Sequence, residues 1–227
     1  MSALKVWSAL IPGLPLRAAA ERFAAETGIE VDVHTGLPET WLGRLRGGEA
    51  ADLVCCGAEL LLDLYEAEGL VLGASRRSPG RRSAALVVPK GNSAGVIGLE
   101  DVVRAGVRVG IAVGGCTLGL WDEVAARAGR TEAVRARISA RASGCGALLG
   151  LLARREVDVA FGWDSFDRVP GFDVEVIRLG PEQTVWRSTA VGVARASARP
   201  EEAGRLADYL VSPAGREIYR SWGWHVD

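Results

Sequence analysis

The sequence predicts an α/β chain built as two lobes, and three observations carry that reading. Short apolar runs alternate with helical stretches along the whole length of 227 residues, the pattern of βα units. The segment from Gly73 to Arg82 interrupts this rhythm with four Arg, Pro79 and two Gly. The stretches on either side of it are alike in kind, so two lobes with a cleft between them is the architecture expected. Ligands of such sheets sit beyond the carboxyl ends of the strands, where loops lead into helix N-termini.

The elements follow in order. Lys5 to Ala9 reads as a first strand, and Leu14 to Thr27 as a helix with Leu16, Ala20, Phe23 and Thr27 on one stripe and Gly28 as its stop. Glu30 to His34 alternates as a half-buried strand does. A helix at Pro38 to Arg46, a strand at Asp52 to Cys56 and a helix at Glu59 to Glu68 come next. Gly73 to Arg82 is expected as an exposed crossing loop, left by a strand at Ala84 to Val88. The pattern then gives helices near Leu99 to Arg104, Leu118 to Ala128 and Gly146 to Arg154, and strands at Val107 to Val113 and Val157 to Trp163. Val174 to Arg178 and Ser188 to Val193 are further strands. Two helices close the chain, Arg199 to Val211 with Ala203, Leu206, Ala207 and Leu210 inward, and Pro213 to Trp222, where Pro213 suits the first turn.

Composition excludes several functions. Hydrophobic residues are 48% and charged residues 24% of the chain, enough to bury a core and unlike a disordered segment. Lys and Arg number 27 against 28 Asp and Glu, a formal net charge of −1, so nothing points to nucleic acid. The longest apolar run, Ala147 to Ala153, falls far short of the ~20 residues of a membrane span. The opening Met1-Ser2-Ala3-Leu4-Lys5 lacks the order of a secretory signal. The chain is therefore expected outside the cytoplasm if an export signal was removed, and in the cytoplasm if Met1 is the native start.

Four turns carry small or polar residues where strands end and helices begin: Trp7-Ser8-Ala9, Cys55-Cys56-Gly57-Ala58-Glu59, Gly114-Gly115-Cys116-Thr117 and Ala142-Ser143-Gly144-Cys145-Gly146. Small residues let backbone N–H groups approach a ligand, and helix N-termini favour an anion. Any one of these is also an ordinary Gly-rich βα turn; four together make a site. Arg187 precedes a strand and is a candidate guanidinium for an oxyanion or carboxylate, although most Arg in so Arg-rich a chain are solvated. Trp41, Trp163 and Trp186 are candidate cleft residues or core.

All but two of the 27 basic residues are Arg, and the chain has four Cys and two His. No CxxC or zinc-like spacing is present. The bland reading makes all four Cys small buried hydrophobes. Yet Cys56, Cys116 and Cys145 all fall at predicted turns, where three thiols would suit a soft metal, a metalloid or an iron–sulfur cluster, and a helix N-terminus would activate a thiol. With only His34 and His225, no Ser–His–Asp or Cys–His set stands out. No phosphate-binding GxxxxGK[ST] is found either, so an enzyme is the weaker class and no cofactor is expected.

The stretch from Gly106-Val107-Arg108-Val109 through Gly119-Leu120-Trp121-Asp122-Glu123 resembles the start of the second lobe in bacterial solute-binding proteins of the molybdate/sulfate type, and within them the accessory colonisation factor branch. Thr27-Gly28-Ile29-Glu30-Val31, Ala51-Asp52-Leu53-Val54, Leu86-Val87-Val88-Pro89-Lys90-Gly91-Asn92, Leu210-Val211-Ser212-Pro213-Ala214-Gly215-Arg216 and Ser221-Trp222-Gly223-Trp224 fit the same pattern in order. The resemblance implies a two-lobed type II periplasmic-binding-protein fold, each lobe a mixed sheet flanked by helices. Residues 1–83 with 190–227 would form lobe one and 84–189 lobe two. The hinge crossings would lie near Ala84 to Val88 and Ser188 to Val193, with closure by hinge motion.

It also implies a small anion (an oxyanion, carboxylate or phosphate ester) bound by Ser8, Trp41, Cys56, Gly57, Thr117, Ser143 and Arg187, beside Cys116, Gly144 and Cys145. An ABC permease would be the partner, and a homodimer is a candidate assembly. The chain departs from the family at Ser8-Ala9-Leu10-Ile11-Pro12-Gly13, where a Gly-Pro-rich loop is usual. It departs again where Cys56, Cys116 and Cys145 replace hydroxyl or small residues, since thiols are poor donors to a hard oxyanion. The alternative keeps the fold and places a soft metal, metalloid or cluster on those three thiols; a thiol-dependent enzyme using Cys116 or Cys145 is the third reading.

Overall fold

The computed structural model describes residues 2–226. In chain order the elements are β1 (Leu4–Ala9), α1 (Gly13–Thr27), β2 (Val31–Gly36), α2 (Pro38–Arg46), β3 (Leu53–Cys56), α3 (Glu59–Ala67) and β4 (Arg77–Pro89). After these come α4 (Leu99–Val102), β5 (Val109–Val113), α5 (Leu120–Arg127), α6 (Thr131–Arg135), β6 (Ile138–Ser143), α7 (Gly144–Ala153) and β7 (Val159–Trp163). β8 (Val174–Arg178), β9 (Trp186–Val193), α8 (Pro200–Leu210) and α9 (Pro213–Ser221) complete the chain. Two units result: Met1–Arg81 with Arg187–Asp227, and Arg82–Trp186. Arg187 therefore belongs to the first unit.

The first unit holds the strand order β2-β1-β3-β9. β1 runs parallel to β2 and β3, and β9 runs antiparallel to β3. β1 and β3 are the buried strands of the parallel set, with Leu4, Val6 and Leu53 inaccessible and Trp7 at 1%, as strands covered on both faces must be. α1 buries Leu16, Ala19, Ala20 and Phe23. It stops where Gly28 takes φ 71° and its N–H donates to the Ala24 carbonyl, a left-handed cap that a side chain would strain.

The second unit holds β4-β7-β5-β6, with β8 on the other edge of β4. β7 and β8 lie antiparallel to β4, and β5 lies parallel to both β6 and β7. Both sheets are mixed and carry helices, the α/β architecture expected.

Four local expectations are corrected. Gly73 to Arg82 is not a crossing loop throughout: β4 begins at Arg77, and Arg82 is fully buried. The reason is backbone pairing, since Arg81 and His225 exchange two N–H···O bonds of 2.9 Å each. β6 and the short α6 escaped the sequence reading. Ile138–Ser143 interleaves Ser139, Arg141 and Ser143 with small residues and buries only Ala142, so it carries no strong apolar alternation. α7 starts at Gly144 rather than Gly146, and Arg187 lies inside β9 rather than before it.

α8 packs Ala203, Leu206, Ala207 and Leu210 inward as the periodicity predicts. α9 begins at a Ser212 cap whose Oγ accepts from the Gly215 N–H at 3.2 Å. A Cβ at Gly215 would meet the Tyr209 carbonyl oxygen at 2.3 Å and that of Leu210 at 2.7 Å, both backbone atoms with no room to yield. Gly215→Ala is expected to destabilise the fold by about 1–3 kcal/mol. Gly204→Ala, in α8 with nothing within 4 Å of its Cβ position, is expected to stabilise by about 0.5–1 kcal/mol. Urea denaturation of the two variants should move the midpoint in opposite directions.

Candidate functional site

Each unit contributes its own strand-end residues. In the first unit, Ser8 near the end of β1 is fully buried, and its hydroxyl donates to the Ala9 carbonyl at 2.9 Å. The Trp41 indole N–H donates to the Ser8 carbonyl at 3.1 Å. Trp41 stacks on Trp7 with centroids 5.2 Å apart, and the Arg44 guanidinium lies about 5 Å from both rings. These two candidate donors thus spend their hydrogens on backbone, leaving Ser8 an acceptor. Cys56 and Gly57 are buried at the end of β3. α3 begins two residues later with Glu59, which accepts the Ser188 N–H at 2.6 Å. A carboxylate there already occupies the positive end of α3. Arg187, half-buried on β9, is the neighbour of Ser188 and supplies the positive charge of this set.

In the second unit, consecutive glycines at φ 88° (Gly114) and 58° (Gly115) turn the chain out of β5 into a single helical turn, Gly115–Thr117. Only open space surrounds a Cβ at Gly115, so backbone conformation rather than crowding keeps it glycine. Thr117 is buried and donates its hydroxyl to the Gly114 carbonyl at 3.2 Å. β6 ends at exposed Ser143, and α7 starts at Gly144 with φ 82°. No side chain caps α7, and its first turn holds no acidic residue. Of the helices that follow the four candidate turns, α1 and α7 share these two features, whereas α3 and α5 carry acidic residues in their first turns. α7 alone of the two starts directly at a strand end, and its N-terminus suits an anion.

The same two turns bring Cys116 and Cys145 together, Sγ to Sγ 3.4 Å. The Trp163 indole N–H donates to Cys116 Sγ at 3.3 Å. The Arg82 guanidinium, fully buried, sits 4.8 Å from the Trp163 ring centroid. The hydrogen bond from Cys145, helped by the charge of Arg82 and the indole N–H, draws the Cys116 thiol down to about 6, against the opposing effect of burial. Cys145 is pushed up, first by its bond to Cys116 and then by burial. One proton shared by two sulfurs is the natural description, with the negative charge on Cys116.

The third thiol of the expected trio, Cys56, belongs to the other unit. Among the described residues no group of three or more His, Cys, Asp or Glu is placed to hold a metal ion. Arg82 and Trp163, which assist Cys145 in lowering the Cys116 thiol, escaped the sequence reading as sulfur partners. Arg82 stood in a segment read as exposed, and the register Ala84↔Trp163 that aligns β4 with β7 has no local signal. Trp186 is exposed at 39%.

A family described as bacterial extracellular solute-binding protein matches residues 4–225. The fold is similar to L-phospholactate-bound PEB3, with a TM-score of 0.86, 21% identity and coverage of 99% of this chain and 100% of that one. It is also similar to the periplasmic molybdate-binding protein of Azotobacter vinelandii, with 0.81, 17% identity and 99% of both chains. A third is the sulfate-binding protein SubI of Mycobacterium tuberculosis, with 0.83, 18% identity, 99% of this chain and 86% of that one. No curated protein sequence matches the chain.

The arrangement around Cys116 sets a titration. Thiolate ultraviolet absorbance of the reduced protein is expected to rise with a midpoint well below the value of about 8.5 for free cysteine. Cys116→Ser should abolish that early step, while Cys56→Ser leaves it in place.

Proposed function

Because the chain belongs to the bacterial extracellular solute-binding protein family, we propose that it captures a small anion (an oxyanion, a carboxylate or a phosphate ester) and releases it unchanged to an ABC permease outside the cytoplasm. The observation that carries this reading is the N-terminus of α7. It opens on exposed Ser143 and buried Gly144, without a capping side chain and without an acidic residue in its first turn. Unpaired first-turn N–H groups and the positive end of the helix dipole favour negative charge there. The resembled structures support the ligand class: their names specify phospholactate, molybdate and sulfate.

In this reading the second unit offers the Ser143 hydroxyl and close backbone approach at Gly144, and the first unit offers a charged N–H of Arg187 and close backbone approach at Gly57. Ser8 and Thr117 orient their turns, since their hydroxyls are bonded to backbone carbonyls. No helix among the described residues is long and apolar enough to cross a membrane.

Calorimetry with sulfate, molybdate and a phosphorylated hydroxy acid tests the assignment. Arg187→Gln is expected to weaken the bound anion by about tenfold or more, the worth of a charge-assisted hydrogen bond. Ser143→Ala should cost roughly three- to tenfold. Unchanged affinity for every anion in both variants would place the pocket elsewhere.

A further inference from the structure

Two sulfurs stand outside that reading. Cys116 and Cys145 lie on different turns of the second unit, 3.4 Å apart, and the proposed anion contacts of Ser143 and Arg187 leave their sulfur chemistry unused. Their surroundings are specific. Cys116 receives the Trp163 N–H at 3.3 Å. Arg82, a fully buried guanidinium, lies over the same indole and places positive charge near the sulfur. These are the groups that hold a sulfur as thiolate. Cys145, on the first turn of α7 and less buried than Cys116, stands beside it as a second thiol. A reactive thiolate with a neighbouring thiol is the arrangement of a dithiol that can close to a disulfide. Two thiols fill only half of a tetrahedral metal shell, and no further ligand is gathered among the described residues.

Exposure selects the co-reactant. Cys116 is only 5% exposed, so an oxidant must be nearly as small as water to reach it. We propose that Cys116 and Cys145 form a hydroperoxide-reactive dithiol site, with Cys116 the nucleophile and Cys145 the resolving thiol. The Cys116 thiolate attacks one peroxide oxygen, the O–O bond breaks, and hydroxide leaves with the electron pair, giving a sulfenic acid. Cys145 then attacks the Cys116 sulfur. The S–S bond forms, the S–O bond breaks, and the departing hydroxide takes the Cys145 proton as water. Two electrons pass from the dithiol to the peroxide, and an external thiol returns them by exchange. Closure from 3.4 Å to a bond of about 2.05 Å asks only for a short movement of the two side chains.

The experiment is oxidation of the reduced full chain with one equivalent of hydrogen peroxide, followed by alkylation and peptide mapping by mass. The expected result is a Cys116–Cys145 linked peptide, formed at least about tenfold faster than any modification of Cys55 or Cys56. In Cys145→Ser, dimedone is expected to trap a sulfenic acid on Cys116. In Cys116→Ser, Cys145 should stay as inert as Cys55. Four cysteines oxidising at equal rates, a sulfenic acid appearing first on Cys145, or a link to any other cysteine would overturn the proposal. The wild-type map alone decides this if a variant folds poorly. The assay contains no anion under test, so failure of anion binding leaves it untouched.

Discussion

The second unit is built around Ser83–Pro89 of β4, and the constraint there is backbone polarity. Every residue from Arg82 to Pro89 is buried, so each N–H and C=O must find a partner inside the protein. β7 and β8 supply them on the two edges. The start of the run is fastened by Asp164, whose carboxylate accepts the Ser83 N–H at 3.1 Å and its hydroxyl at 2.7 Å, while its own N–H returns to the Ser83 carbonyl at 3.0 Å. That clasp fixes the register of β4 against β7, and with it the position of Trp163 beside Arg82. Strand pairing thus places the two groups that assist the hydrogen bond from Cys145 in lowering the Cys116 thiol.

The candidate residues divide by what their hydrogens already do. Ser8 and Thr117 donate to backbone carbonyls of their own turns and Trp41 to the Ser8 carbonyl of β1, and all three act as scaffolding. Ser143, exposed at the uncapped end of α7, and Arg187, half-buried on β9, are the two whose proposed role is to meet the anion itself. The contrast between α3 and α7 makes the same point electrostatically. α3 starts on its own carboxylate, whereas α7 starts on glycine and serine, and only the latter end is congenial to an added anion.

Much of this was legible in the sequence. The alternation of βα units gave the α/β class, and the stripe Ala203, Leu206, Ala207 and Leu210 is buried as its period demanded. The stretches resembling molybdate- and sulfate-type binding proteins pointed to the family. What stayed hidden lies in non-local pairing. Arg77 to Arg82 looks like a solvated loop until His225, more than 140 residues away, completes its ladder. β6 is too polar to announce itself. Cys116 and Cys145 were marked as turn residues, but their approach depends on β5 and β6 being neighbours, and their unequal charge on Arg82 and Trp163. Local patterns carry information about which face is buried; they carry little about which distant side chain ends up opposite.

The hydrogen bond from Trp163 to Cys116 gives the protein an intrinsic optical signal. An indole whose N–H points at a sulfur changes its emission when that sulfur gains or loses charge, because the excited ring is sensitive to the field along its long axis. Trp163 is sealed from solvent, so bulk water adds nothing to its response. Of the seven Trp, Trp163 alone carries this hydrogen bond to Cys116, so the part of the native emission that Cys116→Ser removes from a pH titration reports the ionisation of a single buried atom.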